Sequence, residues 1–283
     1  MRLTLLGTGT PTPNPERQGS ANLLEIGGRY LLFDAGRGAA TQLSRIGVHP
    51  KQIDHIFITH HHFDHISCLD DVLLTAWNNG RSETIHVTGP EGTADIVDAL
   101  LNRIYARDIV FRLKEAEHLD GDMADLRKIV RVRDIGPGSV HDESAWSVRA
   151  GRVEHGHGLG MSHEEWPCLG YRLEAEGKVL VVSGDTVECA GLDALARDAD
   201  LLLQCCYLAD AEIDNHDREV LSAYVLGSAV QAGRTAARAA VKKLVLTHLA
   251  PKSAAMLAEV EAGARRNFDG EVVVGADLMA IEV

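Results

Sequence analysis

The sequence is poor in positive charge, in aromatic side chains and in long apolar runs. Its 283 residues include 28 Lys and Arg against 41 Asp and Glu, giving a formal net charge of −13 at pH 7. Since binding to a phosphate backbone usually relies on clustered Lys and Arg, the charge predicts that nucleic acid is not a partner. No apolar run approaches the roughly 18 residues of a membrane span, and residues 2–6 are too short for a signal peptide. We therefore expect a cytoplasmic protein with no membrane partner.

Several chemistries are excluded by motifs that the sequence lacks. The five cysteines are an odd number without a Cys-x-x-Cys pair, which argues against a disulfide framework and against a zinc knuckle. The sequence contains neither the Gly-x-x-x-x-Gly-Lys-[Ser/Thr] phosphate loop nor the Gly-x-Ser-x-Gly nucleophile turn. Kinase-type and serine acyl-enzyme chemistry therefore have no support.

The order of apolar patterns indicates how the chain is organised. Each half has strand patterns first and helix patterns later, which predicts an α/β fold with helices outside packed sheets. We expect residues 1–283 to form one domain. Residues 105–145 are charged and irregular and include Gly-Pro-Gly at 136–138. We interpret this segment as a cap or insertion of mixed strand character near the mouth of the active site.

The clearest signal is a histidine cluster that directly follows the predicted strand 53–59. His60, His62, Asp64 and His65 form a His-x-His-x-Asp-His pattern. Imidazole nitrogens and carboxylates are ligands for borderline divalent ions such as zinc. Side chains two residues apart on an extended segment point the same way, so His60 and His62 can bind one ion. Asp64 and His65 diverge and can bind a second ion.

Two metal ions need further ligands, and three residues at distant strand ends can supply them. His155, Asp185 and His248 each follow a predicted strand. A carboxylate at Asp185 could bridge the two ions. His157 is an alternative to His155, but we favour His155 because it follows its strand more directly. If it is not a ligand, His157 can line the substrate pocket.

Together these motifs resemble the metallo-β-lactamase superfamily. The matching segments cover most of the chain: Gly-Thr-Gly-Thr-Pro at 7–11, Asp-Ala-Gly at 34–36, the motif at 60–65, His155, Ser-Gly-Asp-Thr at 183–186 and Thr247-His248. The first and the fourth of these, the segment 7–11 and His155, look most like the branch that holds ribonuclease Z, phosphodiesterases and arylsulfatases. Family habit also makes a homodimer an expectation.

The resemblance implies a four-layered αββα sandwich with two metal ions at one edge of the sheets. It implies two ligand sets that share one carboxylate: His60, His62 and His155 for one ion, Asp64, His65 and His248 for the other, and Asp185 as the bridge. The expected cofactors are two divalent ions, with zinc favoured and manganese or iron as alternatives. A hydroxide that bridges the ions is the expected nucleophile, oriented by Asp64 as a catalytic residue. Asp34 is expected to fix a histidine tautomer.

Within that branch we predict a hydrolase that acts on a small phosphodiester. A carboxylic ester or lactone is the next alternative, followed by a sulfate ester. The expected partner is a small-molecule ester, and His157 and Tyr207 are candidates for contacting it.

Three observations lead us to predict against ribonuclease Z-type processing of tRNA. The interval from His155 to Asp185 has no room for that family's long tRNA-binding arm. Residues 224–228 contain no histidine, although that family has a catalytic histidine before the helix that leads to the last ligand. The net charge is also strongly negative.

Overall fold

The computed structural model of the chain describes residues 1–119 and 121–283. The strands are β1 (Arg2–Gly7), β2 (Ala21–Ile26), β3 (Arg29–Phe33), β4 (Ile53–Phe57), β5 (Ile85–Gly89), β6 (Val130–Asp134), β7 (Val140–Asp142), β8 (Trp146–Arg152), β9 (Leu169–Ala175), β10 (Lys178–Val182), β11 (Leu201–Cys205), β12 (Lys243–Thr247), β13 (Glu271–Val274) and β14 (Ala280–Glu282). The helices are α1 (Ala39–Arg45), α2 (Phe63–Ile66), α3 (Leu69–Asn78), α4 (Thr93–Ala99), α5 (Ala106–His118), α6 (Leu126–Ile129), α7 (Ala190–Ala196), α8 (His216–Tyr224), α9 (Ala229–Arg238) and α10 (Ala254–Arg265). Within these described ranges, no helix combines the length and apolarity needed to cross a bilayer.

The strands form two seven-stranded sheets. The first sheet has the order β14-β1-β2-β3-β4-β5-β6, and the second has the order β13-β12-β11-β10-β9-β8-β7. Strands β3 to β6 pair in parallel, and so do strands β10 to β13. Parallel neighbours bring their carboxyl ends to the same edge of a sheet. The loops after β3, β4, β10 and β12 therefore meet along one edge of the molecule.

Three layers of apolar side chains hold these sheets and helices together. Between the sheets lie buried side chains such as Phe33, Phe57 and Tyr171. Helices α1, α3 and α5 cover the outer face of the first sheet with residues that include Trp77. Helices α7, α9 and α10 cover the second sheet with residues that include Val260. The predicted αββα sandwich is confirmed.

The segment 105–145, expected to be of mixed strand character, contains the 13-residue helix α5. It then supplies β6 to the edge of the first sheet and β7 to the edge of the second. The helical part was missed because its apolar face is narrow, with only Ile109 fully buried. Its charge spacing is helical nonetheless, since Arg112 lies 3.0 Å from Glu115 one turn later. This segment therefore carries the chain from one sheet to the other.

A hydrogen bond between the sheets fixes the segment that follows β4. The buried hydroxyl of Tyr171 on β9 donates to the carbonyl oxygen of Ile58 at 2.7 Å. The next residue is held from the same side, because the N–H of Leu169 donates to the carbonyl of Thr59 at 2.9 Å. The second sheet therefore determines where the histidine cluster of the first sheet begins.

Helices α9 and α10 pack backbone to backbone at Gly233. A Cβ atom at this position would lie 2.1 Å from the carbonyl oxygen of Ala264. Replacing glycine by alanine inside a helix ordinarily stabilises by about 1 kcal/mol. Here the helices must separate, and overpacking of this kind costs about 1–3 kcal/mol. We expect Gly233→Ala to lower the free energy of unfolding by about 1–3 kcal/mol, measured by urea denaturation.

The matched control is Gly136→Ala. A Cβ atom there meets nothing within 4 Å, and the residue does not need a positive φ. We expect the control to unfold at the same urea concentration as the unaltered chain. Equal midpoints for Gly233→Ala and the unaltered chain would contradict the close helix packing.

Candidate metal centre

The predicted metal ligands converge at the edge where the parallel strands end. His60 lies just beyond β4, His155 beyond β8, Asp185 beyond β10 and His248 beyond β12. All four side chains are at least 97% buried. His248 has a φ of +57°, a left-handed conformation that bends the chain back at the end of β12. Both sheets therefore contribute to one group of buried polar side chains.

The first cluster consists of His60, His62, His155 and Asp185. The Nδ1 atom of His62 lies 3.1 Å from Nε2 of His60 and 3.1 Å from Nε2 of His155. One carboxylate oxygen of Asp185 lies 3.9 Å from each of those Nε2 atoms. Three imidazole nitrogens and a carboxylate thus surround one small volume.

The second cluster consists of Asp64, His65 and His248. The Nε2 atom of His248 lies 3.2 Å from Oδ2 of Asp64, and Nε2 of His65 lies 3.8 Å from the same oxygen. The carboxylate of Asp185 faces this cluster too, with Oδ1 3.4 Å from His65 and Oδ2 3.2 Å from His248. Asp185 therefore contacts both clusters, as a bridging ligand would.

Hydrogen bonds behind the clusters set which nitrogen of each histidine faces inward. Asp34 lies 2.7 Å from Nδ1 of His65 and accepts the hydroxyl of Thr59 at 2.9 Å. The oxygen of that hydroxyl lies 3.0 Å from Nδ1 of His60. The carbonyl of Val225 accepts the Nδ1–H of His155 at 2.7 Å. These contacts leave the lone pairs of three Nε2 atoms directed into the clusters.

This arrangement fits metal ions on geometric grounds. Two ligands that are each about 2.0–2.1 Å from a tetrahedral zinc ion lie roughly 3.3 Å apart. The nitrogen pairs of the first cluster, at 3.1 Å, are close to that spacing. In the second cluster, Oδ1 of Asp64 and Nε2 of His65 are buried and have no hydrogen-bond partner among the described residues. Lone pairs that face one another repel, and a buried carboxylate oxygen without a donor is unfavourable. A cation bound among these atoms would relieve both.

The electrostatics favour the protonation states that ligands need at His60, His62 and Asp64, but not at His65. Burial lowers the pKa of His60 well below its usual value, and burial together with His155 lowers the pKa of His62 to about 4. Burial alone would raise the pKa of Asp64, but the hydrogen bond to His248 and the facing His65 outweigh it and lower that pKa. Neutral imidazoles and ionised carboxylates are the metal-binding forms. Burial would lower the pKa of His65, yet the facing carboxylates of Asp185 and Asp34 raise it well above its usual value, so a metal ion there must displace a proton.

The structure separates His155 from the alternative ligand His157. His157 accepts the backbone N–H of His155 on Nδ1 at 3.0 Å, and its Nε2 lies 2.9 Å from the carbonyl oxygen of Trp166. Both nitrogens of His157 are therefore engaged outside the clusters, and its ring lies against His163. The other candidate for substrate contact, Tyr207, is half-buried, with its ring 6.3 Å from the ring of His248.

Sequence reasoning missed two residues that position the ligands. The hydroxyl of Thr59 lies between the Asp34 carboxylate and His60 and contacts both. The backbone carbonyl of Val225 positions His155. A carbonyl has no signature in the sequence, so Val225 could not have been found. The threonine directly before the first histidine was a visible signal.

The chain is similar to known proteins along its whole length. A family model described as a beta-lactamase superfamily domain matches residues 29–249. Ribonuclease Z from Mycobacterium marinum is 35% identical over 291 aligned positions, covering 100% of this chain and 99% of that protein. Ribonuclease Z from Mycobacterium avium is 36% identical, with 100% and 98% of the two chains covered.

Solved structures share the fold. The metallo-beta-lactamase fold protein YhfI from Bacillus subtilis superimposes with a TM-score of 0.74 at 18% identity, covering 100% of this chain and 98% of that chain. The short form of human tRNase Z has a TM-score of 0.70 at 25% identity, covering 100% and 99% of the two chains.

The sequence predicts a small-molecule partner and predicts that nucleic acid is not a partner. The relatives named ribonuclease Z and tRNase Z contradict this prediction. The net charge was a poor guide because it sums over the whole surface, whereas cations bound at a site reverse the local field. The missing arm was also a poor guide. An alignment of 291 positions to 283 residues leaves about eight positions for insertions, so the M. marinum relative has no long arm either.

Asp34 is expected to support metal binding without touching the metal. In Asp34→Asn, one of the two acceptor oxygens that serve Thr59 and His65 is lost, so the histidine tautomers are no longer fixed. We expect zinc affinity to fall about 10- to 100-fold, measured by competition with a chromophoric chelator. The control is Asp98→Asn, an exposed carboxylate on α4. Equal zinc affinity in the two variants would contradict this role.

The ligand assignment has a separate test. We expect Asp64→Ala and His248→Ala each to lose one equivalent of zinc relative to the unaltered chain, and His157→Ala to lose none. Activity should fall with the metal, by about 10²- to 10⁴-fold for Asp64→Ala if this carboxylate also handles a proton. Metal analysis after gel filtration gives the count. Full metal content in Asp64→Ala, or loss in His157→Ala, would refute the assignment.

Proposed function

This chain belongs to the metallo-β-lactamase superfamily and is a metal-dependent hydrolase of ester bonds, and from that premise we propose that it hydrolyses a phosphodiester bond of RNA. The observation that carries the proposal is a complete set of seven converging side chains in a chain that aligns from end to end with proteins named ribonuclease Z. The fold shared with human tRNase Z supports it.

We propose zinc as the metal because histidine nitrogens with carboxylates are its usual ligands. Two bound divalent ions would supply a water of lowered pKa and positive charge beside the phosphate. His60, His62 and His155 would hold one ion. Asp64, His65 and His248 would hold the other, with Asp185 between them.

The remaining tasks fall to this chain's own side chains. Asp64 points Oδ2 at His248, while its Oδ1 has no hydrogen-bond partner within the described part of the chain. That free oxygen is placed to orient the attacking water and accept its proton. Asp34 holds the ring of His65 in place, and the carbonyl of Val225 holds the ring of His155. Trp166 closes one side of the site, with its ring centroid 4.7 Å from that of His62.

The small phosphodiester expected from the sequence contains the same reacting bond. We keep the bond and replace the small molecule by RNA, because the relatives that cover the whole chain are ribonucleases by name. One observation still sets this chain apart, namely that residues 224–228 contain no histidine. A ribose oxygen is a poorer leaving group than a phenolate, so RNA makes the greater demand on a proton donor. Tyr207, beside His248, is our candidate for substrate contact there.

A comparison of three substrates tests the proposal. Zinc-reconstituted protein is assayed on a precursor tRNA, on an activated aryl phosphodiester and on an activated aryl carboxylic ester. We expect cleavage of the RNA and of the aryl phosphodiester, both reduced at least about 100-fold by Asp64→Ala and unchanged by Asp98→Asn.

Each alternative has its own outcome. Aryl phosphodiester cleavage that depends on Asp64, with the RNA left intact, would reject RNA while keeping the phosphodiester bond. Faster hydrolysis of the carboxylic ester than of either phosphodiester, again dependent on Asp64, would reject the phosphodiester bond itself.

A further inference from the structure

A second group of histidines lies between the two sheets, away from the metal centre. His55 on β4 is five positions before His60, which at the rise of a strand is roughly 16 Å. It faces His141 on β7 and Trp146 on β8 of the other sheet. We propose that His55, His141 and Glu143 form a separate binding site for a divalent ion such as zinc. This inference does not depend on which substrate the enzyme cleaves.

The three side chains already lie at metal-binding spacing. One nitrogen of His55, one nitrogen of His141 and one carboxylate oxygen of Glu143 lie within 4.8 Å of one another. The Nε2 atom of His141 is 3.3 Å from Oε1 of Glu143. Two imidazoles and one carboxylate form a donor set that zinc uses with its fourth position left for water. Glu143 is exposed and His141 half-buried, so an ion can enter from solvent.

His55 is the observation that points to a ligand. Its side chain is 97% buried, and its Nδ1 has no hydrogen-bond partner among the residues described. A buried polar atom without a partner is unfavourable, and a cation bound at that atom would satisfy it. Burial, together with the neighbouring His86 and His141, lowers the pKa of His55 to about 4. The ring is therefore neutral at pH 7, with a lone pair free to bind a metal.

The surroundings hold the three ligands in place. The ring of His86 stacks on His55 with centroids 4.8 Å apart and an interplanar angle of 11°. Trp146 stacks on His141 at 5.2 Å and 18°. The N–H of Glu143 donates to the carbonyl of Trp146 at 2.9 Å, which closes the turn between β7 and β8. Little reorganisation is needed for binding, and the ion would tie β4 of one sheet to β7 of the other.

Zinc counting on the full chain tests the site. After equilibrium dialysis at fixed free zinc, we expect three equivalents in the unaltered chain and two in His141→Ala and in Glu143→Gln. Glu143→Gln replaces an exposed side chain by one of the same shape, so it tests the site without a risk to folding. Zinc should also raise the melting temperature further in the unaltered chain than in Glu143→Gln.

Two controls make the result specific. The double variant His216→Ala with Glu219→Gln removes an exposed histidine–glutamate pair, 3.9 Å apart on α8, and should keep three equivalents. His86→Phe keeps a flat ring against His55 and should also keep three. The proposal is overturned by two equivalents in the unaltered chain, by three in Glu143→Gln, or by two in His86→Phe. The active-site ions are counted in every variant, so failure of the RNA assay does not affect the result.

Discussion

The buried carboxylate of Asp34 is the interaction on which the metal centre depends. It follows β3 with a φ of +59° and accepts the backbone N–H of Thr59 at 2.8 Å as well as the Thr59 hydroxyl. Because Thr59 follows β4, these bonds join the ends of two parallel strands. The same carboxylate orients His65. A charge this deeply buried is stable only with all its donors in place. The same carboxylate therefore fixes both the alignment of β3 with β4 and the orientation of His65.

The sequence predicts those parts of the fold and of the candidate site that a short local pattern specifies. The strands and the polar side chains at their ends were predictable because apolar runs are followed directly by histidine or aspartate, as at His60, Asp185 and His248. Helix α8 has no clear apolar pattern because it is polar on most sides, and its position is specified by its start, where Asn215 accepts the N–H of Arg218. The pairing of His55 with His141 was also beyond sequence reasoning, because each residue looks like an isolated histidine until the two sheets are packed together.

The prediction that nucleic acid is not a partner was wrong for a physical reason. A net charge of −13 describes the field far from the molecule. A phosphate at the strand ends would meet the local field of bound ions, with the acidic surface charges screened within about 8–10 Å at ordinary ionic strength. Overall charge therefore bears on how fast a polyanion approaches, and much less on whether its phosphate is bound once it arrives.

The wide spacing of the ligands along the chain has a consequence for how the protein folds. Asp64 and His248 are separated by 184 residues and follow strands of different sheets. Both sheets must be in place before the second cluster exists, so metal cannot serve as an early nucleus, in contrast to small zinc domains that are unfolded without metal. An ion that binds after the rate-limiting step slows unfolding and leaves the folding rate unchanged. Zinc would then set how long the native state lasts, measurable as a zinc-dependent unfolding rate, while the chain alone sets how quickly that state forms.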